Sequence, residues 1–137
     1  MTDWQILSRI PTAAEHRTIA EQVGWDHAFD WATLGDSLAG SCVGVTALLD
    51  GSPVGMGRVV GDGVKYFYVQ DLAVVPAQQR TGLGTALLQN LLDQIAAAAP
   101  STAFVGLFAT PEGGALYRAH GFSTGDMTGM FRLVEPR

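Results

Sequence analysis

The sequence predicts an α/β fold, a mixed sheet with helices, in a chain of 137 residues. Three observations predict it. Asp50-Gly51 separates two apolar strand-like runs, a hairpin signal because glycine takes a positive φ without steric cost. A long β segment rich in Tyr, Phe and Val, residues 65–75, is followed by Leu83, Leu87, Leu88, Leu91, Leu92 and Ile95 at helical spacing. A second apolar run, residues 103–109, follows that helix, so the three make a β-α-β unit with parallel strands.

The elements follow in order. Residues 4–10 read as a first strand, stopped by Pro11. Thr12 and Glu15 form a capping-box pattern for a helix over 13–23, closed by Gly24. Residues 24–40 read as a short helix with loops. Strands follow over 43–49 and 54–60, then a turn at Gly61-Asp62-Gly63 and the long fourth strand. Pro100 closes the leucine-rich helix. A short helix over 112–120 ends at Gly121, and residues 127–134 read as a last strand. The predicted order is strand, helix, helix, three antiparallel strands, helix, strand, helix, strand, in one domain over 1–137.

Composition narrows the function classes. Hydrophobic residues make 47% of the chain and charged residues 15%, which fits a globular domain. A net charge of −5 argues against a nucleic-acid footprint and permits attraction of a cation. No apolar run approaches the roughly 18 residues of a membrane helix, and Met1-Thr2-Asp3-Trp4 lacks a signal peptide's basic start and apolar middle. Cys42 is the only cysteine, so an internal disulfide or a cysteine-based zinc cluster is excluded, and a reducing, cytoplasmic location is expected.

The junction after the fourth strand carries the chemistry. Gln79, Arg80, Gly82 and Gly84 stand where a strand hands over to a helix. A helix start leaves backbone N–H groups unpaired and adds partial positive charge. Glycines let a ligand approach the backbone, and Arg80 adds a fixed charge, so the spacing suits a pyrophosphate. Leu87 stands where a Rossmann loop has its third glycine, and there is no Walker run. An ordinary tight turn is the competing explanation of these glycines.

The longer pattern A-V-V-P-A-Q-Q-R-T-G-L-G-T-A-L-L, residues 73–88, resembles the acetyl-CoA signature of the GNAT N-acetyltransferase superfamily. Gln79, Gly82 and Gly84 fill its defining positions. Downstream, A-L-Y-R-A-H-G-F, residues 115–122, resembles the family's L-Y-x-x-x-G-F helix. The element order matches over nearly the whole chain. Y-F-Y-V-Q-D-L-A-V, residues 66–74, is similar to a group of small stand-alone members.

The resemblance implies a sheet splayed between the fourth and fifth strands, with acetyl-CoA as co-substrate and no metal. The edge at Leu72, Ala73 and Val74 would pair with pantetheine amides, as an added strand does. Arg80, Thr81, Gly82, Leu83, Gly84 and Thr85 would cradle the pyrophosphate. The Val74 N–H would stabilise the oxyanion that forms on the thioester, and Tyr117 matches the acid that protonates the departing sulfur. Tyr117 could instead be a packed helix aromatic. Asp71 could relay the amine proton through water, or could be a carboxylate bonded at a bulge. Two family features are missing. The fifth strand carries no glutamate, and Thr110 stands where many members have a cofactor-touching asparagine. Glu112 and His120 are further base candidates that also suit cap or surface roles.

Trp25, Phe29 and Trp31, with Asp26, His27 and Asp30, fall where members often place a substrate lid. They could hold an alkyl or aryl ammonium, or belong to the core or to a dimer interface. Cys42 reads as a small buried hydrophobe. The expected activity is acetyl transfer to a small-molecule primary amine, with a homodimer as the expected assembly. A protein lysine or N-terminal acceptor stays open, as does a non-catalytic acyl-CoA-binding module.

Overall fold

The computed structural model describes residues 3–137. They form two compact units, one ending at Leu107 and the other running from Phe108 to Arg137.

The first unit is a five-stranded sheet in sequence order: β1 (Gln5–Leu7), β2 (Val43–Leu49), β3 (Ser52–Gly61), β4 (Tyr66–Val74) and β5 (Phe104–Gly106). The first four strands pair antiparallel, and β5 pairs parallel with β4. The β2–β3 hairpin turns on Asp50 and Gly51, with φ of 52° and 80°, the double left-handed turn that matches strand twist. At the β3–β4 turn, Asp62 Oδ1 accepts the N–H groups of Val64, Lys65 and Tyr66.

Helix α1 (Ala13–Gln22) starts with the predicted capping box: Thr12 and Glu15 each accept the other's backbone N–H. The stretch after it holds a 3-10 turn (Asp26–Ala28) and α2 (Leu34–Ala39). The sixteen-residue α3 (Leu83–Ala98) links β4 to β5. Successive strand residues face opposite ways, and this separates the helices into layers. A Cβ on Gly55 would lie 2.8 Å from Leu87 Cδ1 of α3, so only glycine lets α3 sit this close to β3. Arg58, on the opposite face, reaches Ser37 of α2. Leu83, Leu87 and Leu91 are wholly buried with Ile19, Met56 and Phe67, each contributing roughly 1.5–3 kcal/mol by burial.

Three expectations need correction. The first strand spans three residues rather than seven, because pairing with β2 covers only Gln5 to Leu7. The fifth strand is Phe104–Gly106 rather than 103–109, and Phe104 is 38% exposed. Its apolar run looked like a buried strand, but β5 is an edge strand whose only described neighbour is β4. Residues 127–134 form no strand: they pair with no described strand, and Met130 and Phe131 are more than four-fifths exposed. Apolar alternation alone does not make a strand without a hydrogen-bonding edge.

The second unit carries α4 (Gly114–Ala119). Within it Tyr117 meets Phe122 edge to face, and Phe108 meets Phe131 likewise. Among the described residues no helix is long and apolar enough to cross a membrane.

Candidate active site

Strand β4 opens on one edge. Its pairs with β5 are Tyr66–Phe104, Phe67–Val105 and Tyr68–Gly106, and there β5 ends. From Val69 to Val74 the β5 side of the strand has no paired neighbour. The sheet thus opens between β4 and β5 as the family resemblance implied, and Leu72, Ala73 and Val74 lie on the open stretch.

The open edge runs directly into a helix start. After Val75 and a 3-10 turn (Pro76–Gln78), the backbone takes positive φ at Arg80, 62°, and at Gly82, 94°. Gly82 is the N-cap of α3, and no side chain caps the helix. Three or four N–H groups there lack helical partners, at the positive end of a sixteen-residue dipole. A Cβ on Gly82 would meet nothing within 4 Å, so the cradle is open where a side chain would fill it. Arg80 is exposed and makes no described ion pair.

The loop is braced from behind. Gln79 Nε2 donates to Val74 O, and the Thr81 hydroxyl donates to Gln78 O. Trp4 Nε1 donates to Gln78 Oε1 at 3.0 Å, tying the chain before β1 to the loop. Gln79 thus shapes the turn through its side chain. These residues fit a CoA pyrophosphate: Arg80 and the N–H groups of 82–85 would hold the phosphates, and the β4 edge would hold the pantetheine.

Asp71 lies on the open stretch of β4 in a bulge. Pairing jumps from Met56–Ala73 to Arg58–Gln70, so Gly57 faces both Asp71 and Leu72. Asp71 takes a φ of 55° there, unusual for a side-chain-bearing residue. The bulge aims its carboxylate at two buried partners. Arg58 Nε–H donates to Oδ2 at 2.9 Å, and His16 Nε2 lies 3.0 Å from the same oxygen. Burial pushes the Asp71 carboxyl up, but the His16 hydrogen bond and the Arg58 charge and hydrogen bond outweigh it, and the group titrates below the usual value. Asp71 is therefore an ionised carboxylate bonded at a bulge, and it also stands on the open edge.

Sequence reasoning missed His16 and Arg58. Each left a signal. His16 shares a face of α1 with Ile19 and Ala20, at the i+3 and i+4 spacing. Arg58 is a lone charge within an otherwise uncharged strand.

The aromatic segment packs on this group. Phe29 meets the His16 ring edge-on at 4.7 Å, and Trp31 stands 6.4 Å from it with Arg17 over its own ring. Trp25 packs against the core. Asp30 accepts the Ala32 N–H as a local turn residue, while Asp26 is exposed. Cys42 bonds Gly61 O as a half-buried thiol.

In the second unit, burial pushes the Tyr117 phenol above its usual value, so it keeps its proton at neutral pH. His120 Nδ1 bonds Leu116 O at the helix end, and Thr110 accepts the Gly113 N–H, which makes both local braces. Glu112 is exposed. Among the described residues no cluster of three His, Cys, Asp or Glu could hold a metal.

A mixed sheet with an open strand edge running into an anion-ready helix start is the architecture the motifs imply. The chain belongs to the acetyltransferase (GNAT) family, whose model matches residues 5–122. A GNAT-family acetyltransferase from Streptococcus pneumoniae is 29% identical over 97% of this chain and 99% of its own, with a TM-score of 0.81. Two further structures share the fold. One, from methicillin-resistant Staphylococcus aureus, is 24% identical over 96% of this chain and 99% of its own, TM-score 0.86. The other, from Xanthomonas campestris, is 22% identical over 98% and 95%, TM-score 0.78. No curated protein matches the sequence. Membership in this family implies acyl transfer from acetyl-CoA.

Proposed function

We propose that this chain is an N-acetyltransferase that moves the acetyl group of acetyl-CoA onto a small-molecule primary amine by direct attack. The observation that carries the reading is the open β4 edge continuing into the uncapped start of α3 beside Arg80.

Acetyl-CoA supplies an activated acetyl thioester. The chain's residues supply the rest. The β4 edge at Leu72, Ala73 and Val74 orients the pantetheine, and Arg80 with the α3 amides neutralises the phosphates. The Val74 N–H donates to the oxygen that gains charge as the amine attacks. An alkylamine has a pKa of about 10, so at neutral pH it arrives as an ammonium and must lose a proton. Asp71 is ionised and on the open strand, which suits it to draw that ammonium and pass the proton to water. Tyr117 is protonated at neutral pH, which suits it to donate to the departing sulfur. Thr110 stands in the sequence where many members have a cofactor-touching asparagine. Trp25 and Phe29, which pack inward against the core and His16, would offer the acceptor side only their half-buried outer faces, with exposed Asp26 adding charge. The products are the acetamide and CoA thiol, with one proton released per ammonium consumed.

The test is thiol release from acetyl-CoA across a panel of primary amines. Amine-dependent release supports the reading, and release by none of the panel contradicts it.

A further inference from the structure

The two oxygens of Asp71 have different surroundings. Oδ2 takes both hydrogen bonds, from Arg58 Nε and His16 Nε2. Oδ1 takes none. Among the described residues the single buried side-chain polar atom without a partner is His16 Nδ1, so the unpaired Oδ1 is in contact with solvent.

Both donors are locked. The remaining Arg58 nitrogens bond Ser37 O, Ser37 Oγ and Ser41 Oγ, so the guanidinium is not free to swing to Oδ1. His16 is fully buried and held edge-on by Phe29. Its ring is oriented through Nε2 alone, because Nδ1 has no partner. A buried nitrogen without a partner is unfavourable. A leucine would fill similar space without that cost, but it could not donate to Asp71. The imidazole is therefore in this core for its Nε2–H.

We propose that His16 is a positioning residue for an acceptor subsite whose anchor is Asp71 Oδ1, and that the acceptor enters as a cationic ammonium. The inference rests on the amine-acceptor reading above. His16 and Arg58 pin one oxygen and leave the other unbonded, on a residue of the open stretch of β4. The charged or titratable groups facing the carboxylate are Arg58 from β3 and His16 from α1, while α2 contributes the Ser37 contacts that fix Arg58. Arg58 already offsets part of the carboxylate charge, and the chain's net charge of −5 adds a general attraction for cations.

The experiment is an amine titration without acetyl-CoA, followed by backbone amide NMR shifts of residues 69–74. The probes are butylamine and benzylamine, with 1-butanol and benzyl alcohol as uncharged counterparts. Wild type should bind the amines and not the alcohols. Asp71→Asn and His16→Leu should each bind amines at least about tenfold more weakly, as loss of a charged or charge-orienting hydrogen bond requires. His16→Gln, which keeps an N–H donor, should stay within about threefold of wild type. Equal binding of alcohols and amines overturns the proposal. So does wild-type affinity in Asp71→Asn or His16→Leu, or a His16→Gln as weak as His16→Leu. If His16→Leu does not fold, Asp71→Asn and His16→Gln decide. Amine binding at these residues without thiol release would refute the transferase reading alone. Thiol release with amine binding indifferent to Asp71→Asn would refute this inference alone.

Discussion

Arg58 donates its Nε–H to Asp71 Oδ2 at 2.9 Å, with the two side chains only 11% and 12% exposed. Removing the cation leaves a largely buried carboxylate with His16 as its one described hydrogen-bond partner. Arg58→Met should therefore destabilise the fold by about 3–5 kcal/mol, the usual cost of breaking a buried pair. The double variant Arg58→Met with Asp71→Asn, which tolerates the positive φ at that position, should recover much of that loss, because no charge is left unpaired. Urea denaturation of the three proteins checks this.

The Gly82 position tests the phosphate cradle. Its φ of 94° suits glycine, and its Cβ space is open. Gly82→Val would put a branched side chain into that space and strain the turn. Acetyl-CoA should raise the melting temperature of wild type, since a ligand bound only by the folded state stabilises it. The shift should vanish in Gly82→Val, and equal shifts in both proteins would remove the site from this loop.

The junction around residues 76–88 was legible because everything that shapes it is local. Gly82, Gly84, Pro76 and the leucine spacing lie within one helix length, and each restricts the backbone on its own. The capping box of Thr12 and Glu15 was legible for the same reason. The Asp71 group was not. A carboxylate bonded at a bulge was one of two roles the sequence suggested for Asp71, but its partners lie 13 and 55 residues away in sequence, so nothing local named them. Residues 127–134 misled in the opposite direction: an apolar pattern can be read locally, but the edge that would make it a strand cannot.

Acid should weaken the start of α1. The hydrogen bond from Arg9, opposed by burial and helped by Thr12, lowers the Glu15 carboxyl from 4.5 to about 2. A carboxyl depressed in the folded state stabilises it above the unfolded value and loses that contribution as pH falls towards the folded one. Glu15→Gln can keep the cap bond but loses the charge paired with Arg9, so it should cost up to about 1 kcal/mol at pH 7, the scale of an ion pair open to solvent. The difference from wild type should close between pH 4.5 and about 2. A constant gap across that window, measured by thermal melts, would contradict the assignment.

Tyr117→Phe removes one oxygen and keeps the ring that packs on Phe122. Loss of a positioned acid costs at least about 100-fold in kcat, or roughly 3 kcal/mol of barrier, with the Kd for acetyl-CoA changed little. Burial raises the phenol, so the acid form persists past the ordinary tyrosine value and is lost only as pH rises through the higher one. A kcat within about threefold of wild type, with cofactor binding intact, would take Tyr117 out of the chemistry.

The central claim is that the open β4 edge and the α3 start serve acetyl transfer to a small amine. The most direct measurement incubates the protein with acetyl-CoA and a mixture of small primary amines, then follows thiol release and the masses of the amines together. One thiol should be released for each amine that gains an acetyl group, with background release when amines are omitted. Stabilisation by acetyl-CoA with no acetylated amine and no thiol above background would contradict it, and would make this chain a CoA-binding module.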